Sequence, residues 1–281
     1  MLLAVSSMRC FSLVDVDNNI IEKKYDDNCY GFTFNENNYF LKTTNRDIRQ
    51  SKILVFDKNF NVVGKITKEQ KKIIRGHQMQ YHAPSNKLWL TAPGEHAYWN
   101  NIYIYDLGTT ECEIWTPIHD KHRLHYNSIC FKGELLYILS HNYHVVPSYV
   151  YVYEWKTRKQ VDKIALEYGD CHNIFYIGDE FYYCASMVAK VLRIGGGKTP
   201  FVDPKQYGGS FSRGIAIDDK YLFVGNSVMG KSNCAMPGHE TIGMYDVSTQ
   251  KFIKSIEIPG AGAIHEIRIL DGLDYAHTTG E

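Results

Sequence analysis

Long apolar runs are missing from this sequence, and so are paired cysteines, an excess of either charge, and any extended stretch with helical spacing. Each absence excludes something. Thirty-one Lys and Arg are balanced by thirty-one Asp and Glu, so no basic surplus points to nucleic acid and no charged tail to a membrane surface. The seven cysteines are odd in number and scattered, with no CxxC pair, which predicts a reduced, cytoplasmic setting rather than a disulfide framework. The opening MLLAVSSM has no basic start and too short an apolar run for a signal peptide or a membrane span. Helical periodicity is confined to ITKEQKKII (66–74), the one short helix the sequence predicts.

What is abundant is aromatic. Twenty-one tyrosines and an aromatic share of 14% favour strands. Short alternating runs recur, among them YFLKTT, KLWLTA, NIYIYDL, LLYILS, YVYVYEW and YLFVGNS, separated by turn residues such as NEN, SNK and DDK. This spacing suggests a sandwich, a barrel or a propeller, and internal repetition decides among them. Ten residues before Phe40, Trp89, Tyr137, Tyr182 and Phe223 stand Tyr30, Met79, Asn127, His172 and Arg213, each in a strand such as NSICF, HNIFY or RGIAI. HEIRI (265–269) makes a sixth repeat. A third strand ending in an acidic residue follows each complete hairpin, then a polar fourth. Four antiparallel strands every 40 to 50 residues predict an all-β, six-bladed β-propeller forming one domain over residues 1–281. The last repeat is truncated and the N-terminus headless. LLAVSS, FSLVDVD and NIIEKKY can therefore close the ring, with either Leu2–Ser6 or Asp274–His277 as second strand of the last blade.

In a propeller the first strand of each blade lines the central tunnel. Positions i and i+2 at its start read Asn28/Tyr30, His77/Met79, His125/Asn127, Asp170/His172, Phe211/Arg213 and Ala263/His265. Four of these twelve are histidine, although only twelve of all 281 residues are, so composition does not explain them. The loops after the second strands add His96, His141, His144 and His239 on the same rim. The hairpin HRLHYNSICFKGELLYILSHN (122–142) shows the pattern locally: His125 and His141 are far apart in sequence but neighbours on one rim.

Imidazoles converging on an axis suit a divalent transition metal, zinc or iron, held by His77, His125, His172 and His265. Asp170 could orient or join the ligands. Arg213 suits a carboxylate, phosphate or sulfate, and Tyr30 offers a hydroxyl. Without metal, His125, Asp170, Tyr30 and Arg213 would form an acid–base site. Cys171 alternates to the face opposite His172, GGGK (195–198) lacks phosphate-loop spacing, and GxSxG, HExxH and EF-hand patterns are absent.

The run GGSFSRGIAIDDKYLFVGNS, with LHYNSICFKGELLYILSHN and CHNIFYIGDEFYYCAS, resembles an uncharacterised bacterial propeller family, the DUF4915 type, over residues 122–270. That resemblance implies the fold and no activity. The His and Arg set is similar to those of two six-bladed propeller enzymes, the zinc-dependent peptidyl-α-hydroxyglycine lyase and the metal-free arylsulfotransferase. Two readings follow: an enzyme acting on a small polar or anionic substrate by lyase, hydrolase or group-transfer chemistry, or a non-catalytic propeller. The latter would bind a partner protein or glycan through rim aromatics Tyr98, Trp99, Tyr143 and Tyr149.

Overall fold

The computed structural model describes residues 1–44, 51–66, 76–93, 100–118, 124–141, 147–228 and 240–280. Among them, 24 strands form six four-stranded antiparallel sheets, with only three short 3-10 turns besides. The fold is the six-bladed β-propeller. Blades 1 to 6, in chain order, begin with Asn28–Phe34, Met79–His82, Tyr126–Lys132, Cys171–Ile177, Phe211–Ile217 and Ile264–Ile269. The helix expected at 66–74 lies outside the described residues apart from Ile66, which ends the strand Val62–Ile66.

The chain forms two compact units. One, Met1–Cys29 with Cys171–His277, carries blades 4, 5 and 6; the other, Tyr30–Asp170 with Thr278–Glu281, carries blades 1, 2 and 3. Within the first, blade 6 is completed by the N-terminus. Leu2–Ser7 pairs with Ile264–Ile269 on one side (Leu3 opposite Ile269, Val5 opposite Ile267) and with Cys10–Asp15 on the other. Leu2–Ser7, not Asp274–His277, is thus the second strand. Asp274 instead fastens the following segment: its carboxylate accepts the backbone N–H groups of Ile217, Ala276 and Ile269 at 3.2, 3.0 and 3.1 Å.

Burial explains the strand compositions. Second strands such as Tyr39–Thr44 are covered on both faces, so they lose the alternation of a half-exposed strand. Fourth strands are mostly exposed, and Lys23, Lys24, Lys65, Lys163 and Lys254 sit on them, charges that discourage edge pairing with other chains. Acidic residues at the ends of third strands close the turn that follows, except in blade 4, where Lys190–Arg193 ends in arginine. Asp15, Asp57, Asp106 and Asp246 each accept backbone N–H groups two to four residues on, as with Gly108 and Thr109 on Asp106 at 2.9 and 3.0 Å. Packed side chains such as Ile264, Ile267 and Phe223 in one unit, or Trp89, Tyr126 and Phe131 in the other, make the cores. Each buried Ile or Phe contributes about 1.5–3 kcal/mol relative to exposure.

A departure from regular pairing recurs near the start of the first strands. Register shifts skip Asn127, Asn173 and Arg213–Gly214, and a fourth lies at His265, between the pairs Ser6–Glu266 and Ser7–Ile264. A bulge re-aims the side chain it carries. The positions aligned in sequence as i+2 are therefore bulge residues in blades 3, 5 and 6, and in blade 4 the bulge falls one residue later, on Asn173. In blade 5 the bulge also dictates glycines: Gly214 has φ +85°, and a Cβ on Gly225 would stand 2.3 Å from the Arg213 carbonyl oxygen.

Candidate functional site

The unit containing Tyr30–Asp170 brings four of the expected residues into one row and adds a fifth. The Tyr30 ring meets His77 edge-on, with centroids 5.7 Å apart. His77 lies 4.4 Å from His125, and His125 lies 5.0 Å from His141. His141 Nδ1 stands 3.0 Å from Asp170 Oδ1, both side chains being largely buried. Four come from the starts of successive first strands, while His141 follows the strand Leu135–Ser140.

The backbone holds this row in an unusual way. His125 and Asp170 both have left-handed conformations, φ +51° and +55°, which cost about 1–3 kcal/mol for residues with a Cβ. Both are fastened. The His125 N–H donates to Asn100 Oδ1, and its carbonyl accepts the His141 N–H at 3.1 Å. The His141 carbonyl accepts the Asp170 N–H and the Ser148 hydroxyl, both at 3.2 Å. His141 is thus gripped on both peptide groups and at its ring. A carboxylate beside Nδ1 fixes the proton there, making Nε2 the basic nitrogen of the neutral ring.

Blades 4 to 6 hold the remaining candidates. His172 Nδ1 is 2.8 Å from the Ser186 hydroxyl, and its ring contacts Phe211 edge-on at 5.5 Å. His265 donates from Nδ1 to the Cys29 carbonyl at 2.7 Å, a tie within this unit. Arg213 is half-buried on its bulge. Two residues absent from the sequence-based set join this unit. Asn173 accepts the Gly214 N–H at 2.8 Å, and Glu266 pairs with Arg268 at 2.8 Å with both about 1% exposed. The signal for Asn173 was available: asparagine is among the few residues that tolerate its φ of +44°.

Among the described residues, no three His, Cys, Asp or Glu side chains stand together as a metal-ion set. The donor chemistry at single rings does suit a ligand role, since a backbone carbonyl on Nδ1, as at His265, leaves Nε2 the basic nitrogen. Burial pushes the Cys184 thiol up, reinforced by Cys171 and opposed by Arg213, so it is no thiolate nucleophile. His96, His122, His144 and His239, with Tyr98, Trp99 and Tyr143, lie outside the described residues.

No family model matches the chain, and no curated protein does. Solved structures match in fold. A chain of the nidogen/laminin complex is similar with a TM-score of 0.66 at 8% identity, covering 95% of this chain and 97% of that one. A chain of hydrazine synthase from Kuenenia stuttgartiensis gives 0.57 at 14% identity, over 85% and 71%. A chain of the mitotic checkpoint complex gives 0.53 at 8% identity, over 84% and 65%. At such identities the likeness shows the propeller fold alone. No helix among the described residues is long and apolar enough to cross a membrane.

Proposed function

We propose that the protein is a propeller enzyme acting on a small polar or anionic substrate, with its acid–base centre in the row His77–His125–His141–Asp170. The observation that supports this best is the His141–Asp170 pair at 3.0 Å beside two further imidazoles. A carboxylate behind an imidazole orients the ring and stabilises its protonated form, which a proton carrier needs. His125 and His77 extend the row as donors toward a substrate oxygen, and the Tyr30 hydroxyl ends it. Removal of a positioned acid or base typically slows a reaction about 10²–10⁴-fold.

The test is hydrolysis of aryl esters of phosphoric, sulfuric and carboxylic acids by the wild type, His141→Ala and Asp170→Asn. The expected result is turnover of one ester class by the wild type and loss of about two orders of magnitude in both variants. Equal background rates for all three proteins on all three classes would overturn the reading and favour a propeller that binds a protein or glycan partner. A metal-dependent form of the enzyme, with zinc or iron on histidines such as the carbonyl-tethered His265, is the second reading. It requires about one equivalent of metal in purified protein, lost in a folded His172→Ala/His265→Ala variant; metal-free wild type would exclude it.

A further inference from the structure

Asn100 has no chemistry in the row of rings, yet its side chain holds the His125 backbone. It opens the strand Asn100–Asp106 of blade 2 and is 3% exposed. Its Oδ1 accepts the His125 N–H, while its Nδ2 is buried with no hydrogen-bond partner among the described residues. A buried amide with an unused donor is an expensive choice, because an unpaired buried polar group costs about 1–3 kcal/mol. A purely stabilising residue at this place would avoid that cost. What Asn100 supplies is one acceptor, aimed at the N–H of a residue in a left-handed conformation. His125 in that conformation has its ring 4.4 Å from His77 and 5.0 Å from His141.

We infer that Asn100 is a positioning residue of the acid–base centre: by holding His125 through its main chain, it keeps the three imidazoles in contact. The inference rests on the function proposed above, but it concerns geometry and is read without turnover. Its chemistry also selects a rescue. Aspartate at this position keeps the acceptor but buries a second carboxylate oxygen in place of Nδ2, so its rescue is read at the His125 amide alone, whereas leucine of similar size removes the acceptor.

The experiment is amide hydrogen exchange and imidazole NMR on the wild type, Asn100→Leu and Asn100→Asp. In the wild type the His125 amide exchanges slowly. In N100L its protection drops about tenfold, as loss of one hydrogen bond implies, and the ring resonances of His77, His125 and His141 all move; N100D restores the amide protection. A rapidly exchanging His125 amide in the wild type overturns the inference with no variant needed, as do unchanged ring resonances in folded N100L. If instead N100L moves the rings while Asp170→Asn leaves ester hydrolysis untouched, the positioning role stands and the acid–base function falls.

Discussion

Asp170 reaches His141 across the boundary between consecutive repeats, Oδ1 to Nδ1 at 3.0 Å, while its own N–H donates to the His141 carbonyl. The contact fixes ring and main chain together. Asp170→Asn keeps the shape but turns an acceptor into a possible donor, so the His141 proton loses its preferred nitrogen. Nitrogen-15 imidazole spectra should show mostly the Nδ1–H tautomer in the wild type and a mixture in D170N. Identical spectra would mean that the carboxylate does not orient the ring.

His82 sits at the end of the first strand of blade 2, fully buried between Phe131 and Trp155, with rings 4.3 and 4.4 Å away and, among the described residues, no hydrogen-bond partner on Nε2. Burial lowers its pKa to about 4. The folded state therefore binds fewer protons than the unfolded state between about pH 6.5 and 4. Stability from this residue is complete above 6.5 and is lost as pH falls, by up to about 3 kcal/mol. Denaturant unfolding at pH 7 and pH 4.5 should show that loss in the wild type and a smaller one in His82→Phe.

Asp274 pulls the other way. Burial outweighs Arg268 and three backbone N–H groups and pushes its carboxyl up to about 6. Here the folded state binds the extra proton, so this contribution is present below about pH 4 and is lost as pH rises through 6. Asp274→Asn should remove that fall, leaving a stability that climbs more steeply with pH across the same window. Asp274→Ala should cost several kcal/mol at every pH, because three buried N–H groups lose their acceptor.

Gly225 admits no side chain, since its Cβ would stand 2.3 Å from the Arg213 carbonyl and 2.6 Å from the Ile264 side chain. Gly225→Ala should destabilise by about 1–3 kcal/mol, the usual cost of overpacking, and Gly214→Ala should add strain at φ +85°. Chemical denaturation of the two single variants measures both. A neutral Gly225→Ala would show that the blade 5 bulge can relax without penalty.

Several features of the fold were legible because they are local or repetitive. The ten-residue offset from the start of the first strand to the aromatic of the second found the hairpins, and acidic residues after the third strands marked turns that Asp106 and Asp246 do close. The complementarity of the two chain ends located blade 6. The site was legible only by type. Counting by two assumes unbroken pleating, and a bulge breaks it at Asn127, Asn173, Arg213 and His265. Asn173 was missed for that reason, and Asn100 because an acceptor for a single backbone N–H leaves no motif.

The sequence by itself determined how many blades form, which strands are buried and where histidines concentrate, since those follow from periodicity and composition along one chain. Which imidazole touches which partner was decided by tertiary structure. Left-handed turns, bulges and side-chain ties from neighbouring blades set the direction of each ring, and those forces act between residues far apart in sequence. His265 and His125 look alike in the repeat, yet one ring is tied to the Cys29 carbonyl and the other lies between two imidazoles.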